Sequence, residues 1–236
     1  MHQSSAEVIS KLKAIANPDY TSVVARFGIP TEQVIGIKSP EIKKISRSIG
    51  VNHSLAIKLW NTPIHEARIL ATLIADPTAL DIQQAEQWAQ VIYSWDLCDS
   101  ICRVFYQMDE AYEIATRWTI KKEEFVKRAA FVTMVMLTIH AKKLPDEKIA
   151  SFFPYIIKEA WDNRNFVKKS VNWALRQIGK RSLELNKQAI VVAHEIKNQG
   201  TNSAKWIAND ALKELTSKAV INRLHLKAQK NVSSGS

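Results

Sequence analysis

Two stretches of this chain carry residues whose types and spacing could do chemistry. The first is Ser94-Trp-Asp-Leu-Cys-Asp-Ser-Ile-Cys102. Asp96 stands where a helix N-cap is wanted, and Asp99 lies three residues on, in the first turn. An acid near a helix N-terminus is stabilised by the macrodipole, and that accounts for Asp96. For Asp99 two readings stay open on spacing alone: the same first-turn acid, or a functional carboxylate beside the indole of Trp95. Trp95 is otherwise a core aromatic at the loop. A carboxylate next to an indole face suits hydrolysis through a cationic transition state. The carboxylate stabilises developing positive charge or orients water, and the ring face attracts a cation. Cys98 and Cys102, four apart, read as small apolar residues on one helix face. No His or further Cys lies at ligand spacing, so no metal site is expected.

The second stretch is residues 164–179. Val167, Val171, Ala174, Leu175 and Ile178 form one apolar stripe, which must face neighbouring helices. Lys169, Trp173, Arg176 and Lys180 fall on another face, with Trp173 about 200° from Val171 around the axis. Lys and Arg stems shielding a partly exposed indole would account for this; an aromatic platform in a phosphate-binding groove is the sharper reading. Lys127 and Arg128 lie in the first turn of one predicted helix, Lys168 and Lys169 in the first turn of another. Cations there oppose the macrodipole, but cations together with free amides make a good phosphate site.

The elements that must position these residues are helices. The chain has 236 residues, 46% of them hydrophobic, with only 6 Gly and 7 Pro. Glycine is absent from Val51 through Ile178, and no proline follows Pro154. An α/β nucleotide-binding enzyme uses glycines at its strand-to-helix turns, and an all-β protein uses them at hairpins; the scarcity argues against both. Two cysteines exclude a disulfide scaffold. Apolar residues recur at spacings of 3 and 4, predicting helices at 4–16, 19–27, 40–49, 53–60, 64–75, 80–93, 97–107, 110–118, 123–140, 146–158, 164–179, 182–198 and 203–217. Asn163, Ser182 and Asn202 stand in capping positions, and Gly179 and Gly200 sit where a left-handed residue ends a helix. The helices echo one another: His65-Glu-Ala-Arg, Phe125-Val-Lys-Arg and Phe166-Val-Lys-Lys each place a basic residue just inside a helix. Phe125 and Phe166 are 41 residues apart, close to the period of HEAT-type helical pairs. Such repeats stack into a solenoid, although a compact bundle would satisfy the same pattern. The expectation is one all-α domain over residues 1–220, with a polar, frayed tail over 221–236.

The formal net charge is +10, and it is lopsided. Residues 1–154 hold 18 Lys and Arg against 17 Asp and Glu, whereas residues 155–236 hold 15 against 6. A lopsided positive field calls for a polyanion, nucleic acid before an anionic membrane surface. No secretory signal or membrane span is read, so the cytoplasm is expected. There is no P-loop, Gly-x-Ser-x-Gly elbow, HExxH or dinucleotide turn.

Four motifs in order resemble the AlkD-like family of DNA alkylation-repair proteins with HEAT-like repeats. They are Ala25-Arg26-Phe27 with Gly36-Ile37-Lys38-Ser39-Pro40-Glu41; Trp95-Asp96-Leu97-Cys98-Asp99-Ser100; Lys127-Arg128-Ala129-Ala130; and Val171-Asn172-Trp173-Ala174-Leu175-Arg176. The resemblance covers roughly residues 20–215. It implies Asp99 as catalytic carboxylate, Trp95 and Trp173 as aromatic walls beside a damaged nucleotide, and Arg128 and Arg176 as backbone contacts. With them would act Lys127, Lys168, Lys169, Lys180 and Phe27, the last standing where the family often has Tyr. The implied activity is a monofunctional, cofactor-free glycosylase removing cationic N3- or N7-alkylated purines from double-stranded DNA. The protein would be a cytoplasmic monomer, associated with the nucleoid in a prokaryote. Against it stand a non-catalytic relative gripping distorted or branched DNA and a protein-binding scaffold.

Overall fold

The computed structural model describes residues 3–233, and every regular element in that span is helical. The chain separates into two compact units, Met1–Glu110 and Ala111–Ser236. Among the described residues, no helix is long and apolar enough to cross a membrane.

The first unit holds α1 (Ser5–Ala14), α2 (Pro18–Ala25), α3 (Ser39–Ile49), α4 (His53–Trp60), α5 (His65–Ile74), α6 (Ile82–Gln90) and α7 (Trp95–Phe105). Local chemistry sets the starts. Ser4 and Glu7 form a capping box, Asn17 caps α2 ahead of Pro18, and Asn52 and Asp81 cap α4 and α6. α5 is central, packing on α3, α4 and α7, and Leu59, Trp60, Leu70, Ile74, Leu97 and Phe105 are fully buried around it.

The long connection between α2 and α3 is tied to α5 by the Glu66 side chain, with Arg68 and the His65 amide bonding Gln33 beside it. The buried Glu66 carboxylate accepts hydrogen bonds from the amides of Ile35 (3.1 Å), Gly36 (2.7 Å) and Ile37 (3.0 Å). Successive amides converging on an anion need a locally left-handed backbone, and Gly36 supplies it at φ +84°. A Cβ there would stand 1.9 Å from the Asn17 carbonyl oxygen.

The second unit holds α8 (Ala111–Arg117), α9 (Glu124–His140), α10 (Asp146–Ala150), α11 (Phe153–Glu159), α12 (Asn165–Gly179), α13 (Leu183–Asn198), α14 (Asn202–Leu215) and α15 (Lys218–Ser233). α8 pairs with α9, α11 with α12, and α13 with α14. The second members, α9, α12 and α14, pack side by side, while α11 lies on α13 and α13 on α15. The Phe125 and Phe166 rings meet at 5.3 Å, so the 41-residue echo marks equivalent positions on adjacent helices. Flanked on several sides, α9 is buried almost continuously from Val126 to Thr138.

Four expectations are corrected. The helix expected at 146–158 divides, because Pro154 opens α11 and cannot continue the hydrogen-bond ladder of α10. Arg164 and Thr201, rather than Asn163 and Asn202, occupy the N-cap positions of α12 and α14. Gly179 is helical, and a Cβ on it would lie 2.7 Å from Leu215 and 2.9 Å from Ala189, so it is a close-packing glycine; Gly200 does take positive φ. Of the segment read as a frayed tail over 221–236, residues 221–233 continue α15, and 234–236 lie outside the described residues. Val220 and Leu224 are buried one turn apart, which seats that helix on α13 and α14.

Gly28 has a φ similar to that of Gly36 but open space around its Cβ direction. Gly28→Ala should therefore cost only about 1 kcal/mol from backbone conformation. Gly36→Ala adds the collision and should cost roughly 3 kcal/mol or more. Urea unfolding midpoints of the two variants check this ordering.

Candidate functional site

In the first unit the residues at the start of α7 divide their work. Ser94 is the N-cap but forms no side-chain cap; its hydroxyl donates to Asp96 Oδ1 at 2.6 Å. Asp96, expected as the cap, instead accepts from His65 Nε2 at 2.9 Å through Oδ2. His65 Nδ1 and the Tyr93 hydroxyl are hydrogen-bonded at 2.7 Å, and burial pushes the phenol well above its ordinary range. Burial also pushes Asp96 up. The hydrogen bond and charge of His65, with Ser94 and the Leu97 amide, outweigh it and hold the carboxyl below its ordinary value. This Tyr93–His65–Asp96–Ser94 chain joins α5 to α7, and no local pattern announced it: His65 and Asp96 are 31 residues apart.

Trp95 is half-buried, and its Nε1 donates to the Phe27 carbonyl at 2.9 Å. Phe27 is 62% exposed. Both rings line a cavity of about 280 Å³ with Tyr20, Ile37 and Asp96. Asp99, half-buried, follows Trp95 by four residues on α7, so the two side chains leave one face of the helix. Cys98 and Cys102 are buried on the apolar face.

The cations expected to meet DNA in the second unit separate into three settings. Lys127 is only 5% exposed, its ammonium 2.7 Å from Glu159 Oε2 and 3.2 Å from Asp162 Oδ2. Arg128 is also buried and donates to the Phe166 carbonyl at 2.9 Å. Both bind neighbouring elements together, because a buried cation must find anionic or carbonyl partners. Arg176 reaches Asp210 (3.1 Å) and Glu214 (3.2 Å), and Lys180 reaches Glu214 (2.7 Å); α14 thus takes up part of the charge on this α12 face. Lys168 lies over the Trp206 ring at 5.3 Å, and Lys169 is exposed. Trp173 is half-buried; with its amide oxygen facing them, Gln177 accepts from Trp173 Nε1 at 3.1 Å and Lys180 Nζ at 3.3 Å.

Gln177 and Lys180 continue into a groove of about 760 Å³, completed by Lys142, Arg181, Arg223 and Lys227. Arg181 is occupied, bonding Asp146 (2.9 Å) and the Thr138 carbonyl (2.8 Å) at the end of α9. Lys142, Arg223 and Lys227 are exposed and meet no carboxylate among the described residues. Arg223 and Lys227 were missed in the sequence because their segment read as unstructured.

Two predictions test these assignments. Lys127→Ala should destabilise by about 3–5 kcal/mol, since it leaves the buried Glu159 carboxylate without its cation; thermal melting unchanged beside weakened DNA binding would return Lys127 to a surface role. Asp96 has a depressed folded pKa, so its contribution is complete above the unfolded value of about 3.9 and is lost as pH falls through the folded value. Asp96→Asn should therefore melt below the wild type at pH 7, with the gap closing as pH falls below about 3.9 and through the folded value.

An uncharacterised protein of Listeria monocytogenes, Lmo0209, is 24% identical over 142 residues, which cover 58% of this chain and 62% of that protein. The match therefore spans less than two thirds of that relative's length. A solved structure described as a new family of proteins related to the HEAT-like repeat DNA glycosylases with affinity for branched DNA structures superposes with a TM-score of 0.74. It is 20% identical, and the match covers 88% of this chain and 94% of that one; the shared property is the all-helical, HEAT-like repeat fold. The model of the DNA alkylation repair enzyme family matches residues 8–215, and the chain belongs to that family.

Proposed function

We propose that the protein is a DNA glycosylase that hydrolyses the N-glycosidic bond of cationic N3- or N7-alkylated purines in duplex DNA. The observation that carries this reading is the Trp95–Asp99 pair, a half-buried carboxylate one turn from an indole anchored through Phe27. The chemistry at the start of α7 is assigned to Asp99, the carboxylate that shares a helix face with Trp95. An alkylated purine carries positive charge, so when the bond to C1′ breaks the base departs neutral with the electron pair. Positive charge then develops on the sugar. The Asp99 carboxylate stabilises that oxocarbenium-like centre, water adds at C1′, and its proton is lost to the carboxylate or solvent. Trp95 offers a ring face to the cationic base. Lys169, Arg176, Lys180 and the Lys142–Arg223–Lys227 groove take phosphates. The leaving group is already activated, so neither metal nor cofactor is required.

A second reading, a non-catalytic binder of branched or distorted DNA, is favoured by the internal engagement of Lys127, Arg128 and Arg176. Affinity for branched DNA structures is also the property stated for the structurally similar protein.

Base release from alkylated duplex under single-turnover conditions separates the two. The wild type should release base, and Asp99→Asn should lower the rate by about 100-fold or more with duplex affinity kept within about twofold. Retained affinity without release by the wild type selects the second reading. Replacing Lys142, Arg223 and Lys227 by Ala should flatten the slope of log K against log salt by about 0.9 for each phosphate no longer neutralised. An unchanged slope would remove the groove from the interface.

A further inference from the structure

We propose that the cleft beside Trp161 is a stacking site for an unpaired nucleobase, making forked or gapped DNA a better ligand than continuous duplex. This rests on the DNA-binding reading above but on different residues. The cleft, about 690 Å³, lies within the second unit between the end of the turn after α8 and the 160–164 connection. Two of its apolar side chains stand open: Trp161 is 56% exposed and Ile120 64%.

The indole has a fixed support. Lys127 Nζ lies 5.5 Å from its ring centroid, and Glu159 and Asp162 hold that ammonium in place. A ring resting on an immobilised cation loses less freedom on binding than a mobile surface side chain.

The charge around it is one-signed once its pairings are followed. Both carboxylates of the cleft are consumed internally. Glu159 pairs with Lys127; Asp162 pairs with Lys127 and with Arg164, at 3.0 Å from Nε and 2.6 Å from NH2. Burial pushes the Asp162 carboxyl up, but the Arg164 and Lys127 bonds outweigh it and keep it ionised. Lys121, Lys122 and Lys158 remain, lining the cleft without a carboxylate partner among the described residues. A supported π-face with an aliphatic neighbour and three ammonium groups is the chemistry that takes a base by stacking and its phosphates by charge. A base within a continuous duplex already has both faces covered; one at a fork or gap does not.

The test uses the full chain and three labelled DNAs of equal length: continuous duplex, a fork with unpaired arms, and single strand. The wild type should bind the fork at least about fivefold more tightly than duplex, because one stacked base contributes at that level or above. Trp161→Ala should lose about 5- to 100-fold on the fork and leave duplex binding within about twofold, while Trp161→Phe should keep the preference. Lys122→Glu with Lys158→Glu, on exposed side chains outside the ion cluster, should weaken fork binding without altering the melting temperature. Equal losses of Trp161→Ala on fork and duplex, or no loss on either, would overturn the stacking site. A wild type that binds fork and duplex alike overturns it while leaving the DNA-binding reading intact; a wild type without DNA affinity overturns both.

Discussion

The ammonium of Lys127 between Glu159 and Asp162 is the interaction on which the second unit turns. Three charges taken out of water are costly unless each finds its partners. Here α9 supplies the cation, the end of α11 one acid, and the connection into α12 the other, while Arg164 completes the second acid. The cluster fixes how one helical pair meets the next, and it also supports the indole of Trp161. Removing the cation would leave two buried carboxylates; removing the carboxylates would leave a buried cation.

The same arrangement explains what kind of surface remains. In the C-terminal third the acids are few, and Glu159, Asp162, Asp210 and Glu214 are each held in an ion pair. Their fields are cancelled at close range. The uncancelled charge is carried by exposed lysines and arginines such as Lys142, Lys158, Lys169 and Arg223. A polyanion would therefore meet a more uniformly positive surface than interspersed charges present. In the first unit, acids serve structure in another way: Glu66 gathers three amides and Asp96 holds His65.

Much of the fold was legible because helices are written locally. The 3-and-4 spacing of Val167, Val171, Ala174, Leu175 and Ile178 marked the buried face of α12, and all five are buried. The echo between Phe125 and Phe166 anticipated a contact between neighbouring repeats. Polar α15 escaped because a helix seated through Val220 and Leu224 has too few apolar positions to stand out from a solvated tail. The cations were legible as cations but not by setting: Lys127 and Lys169 read alike in a helix's first turn, yet one is buried and the other exposed.

From the sequence alone came the all-helical class, most element positions, the charge asymmetry and the Trp95–Asp99 spacing, since each depends on near neighbours or on composition. Tertiary structure alone decided which charges are spent and which face outward. His65 meets Asp96 across 31 residues, Lys127 meets Glu159 across 32, and Arg176 meets Asp210 across 34. Whether a charged side chain holds the fold or stays available to a ligand depends on what packing brings within about 3 Å of it, and no local pattern carries that information.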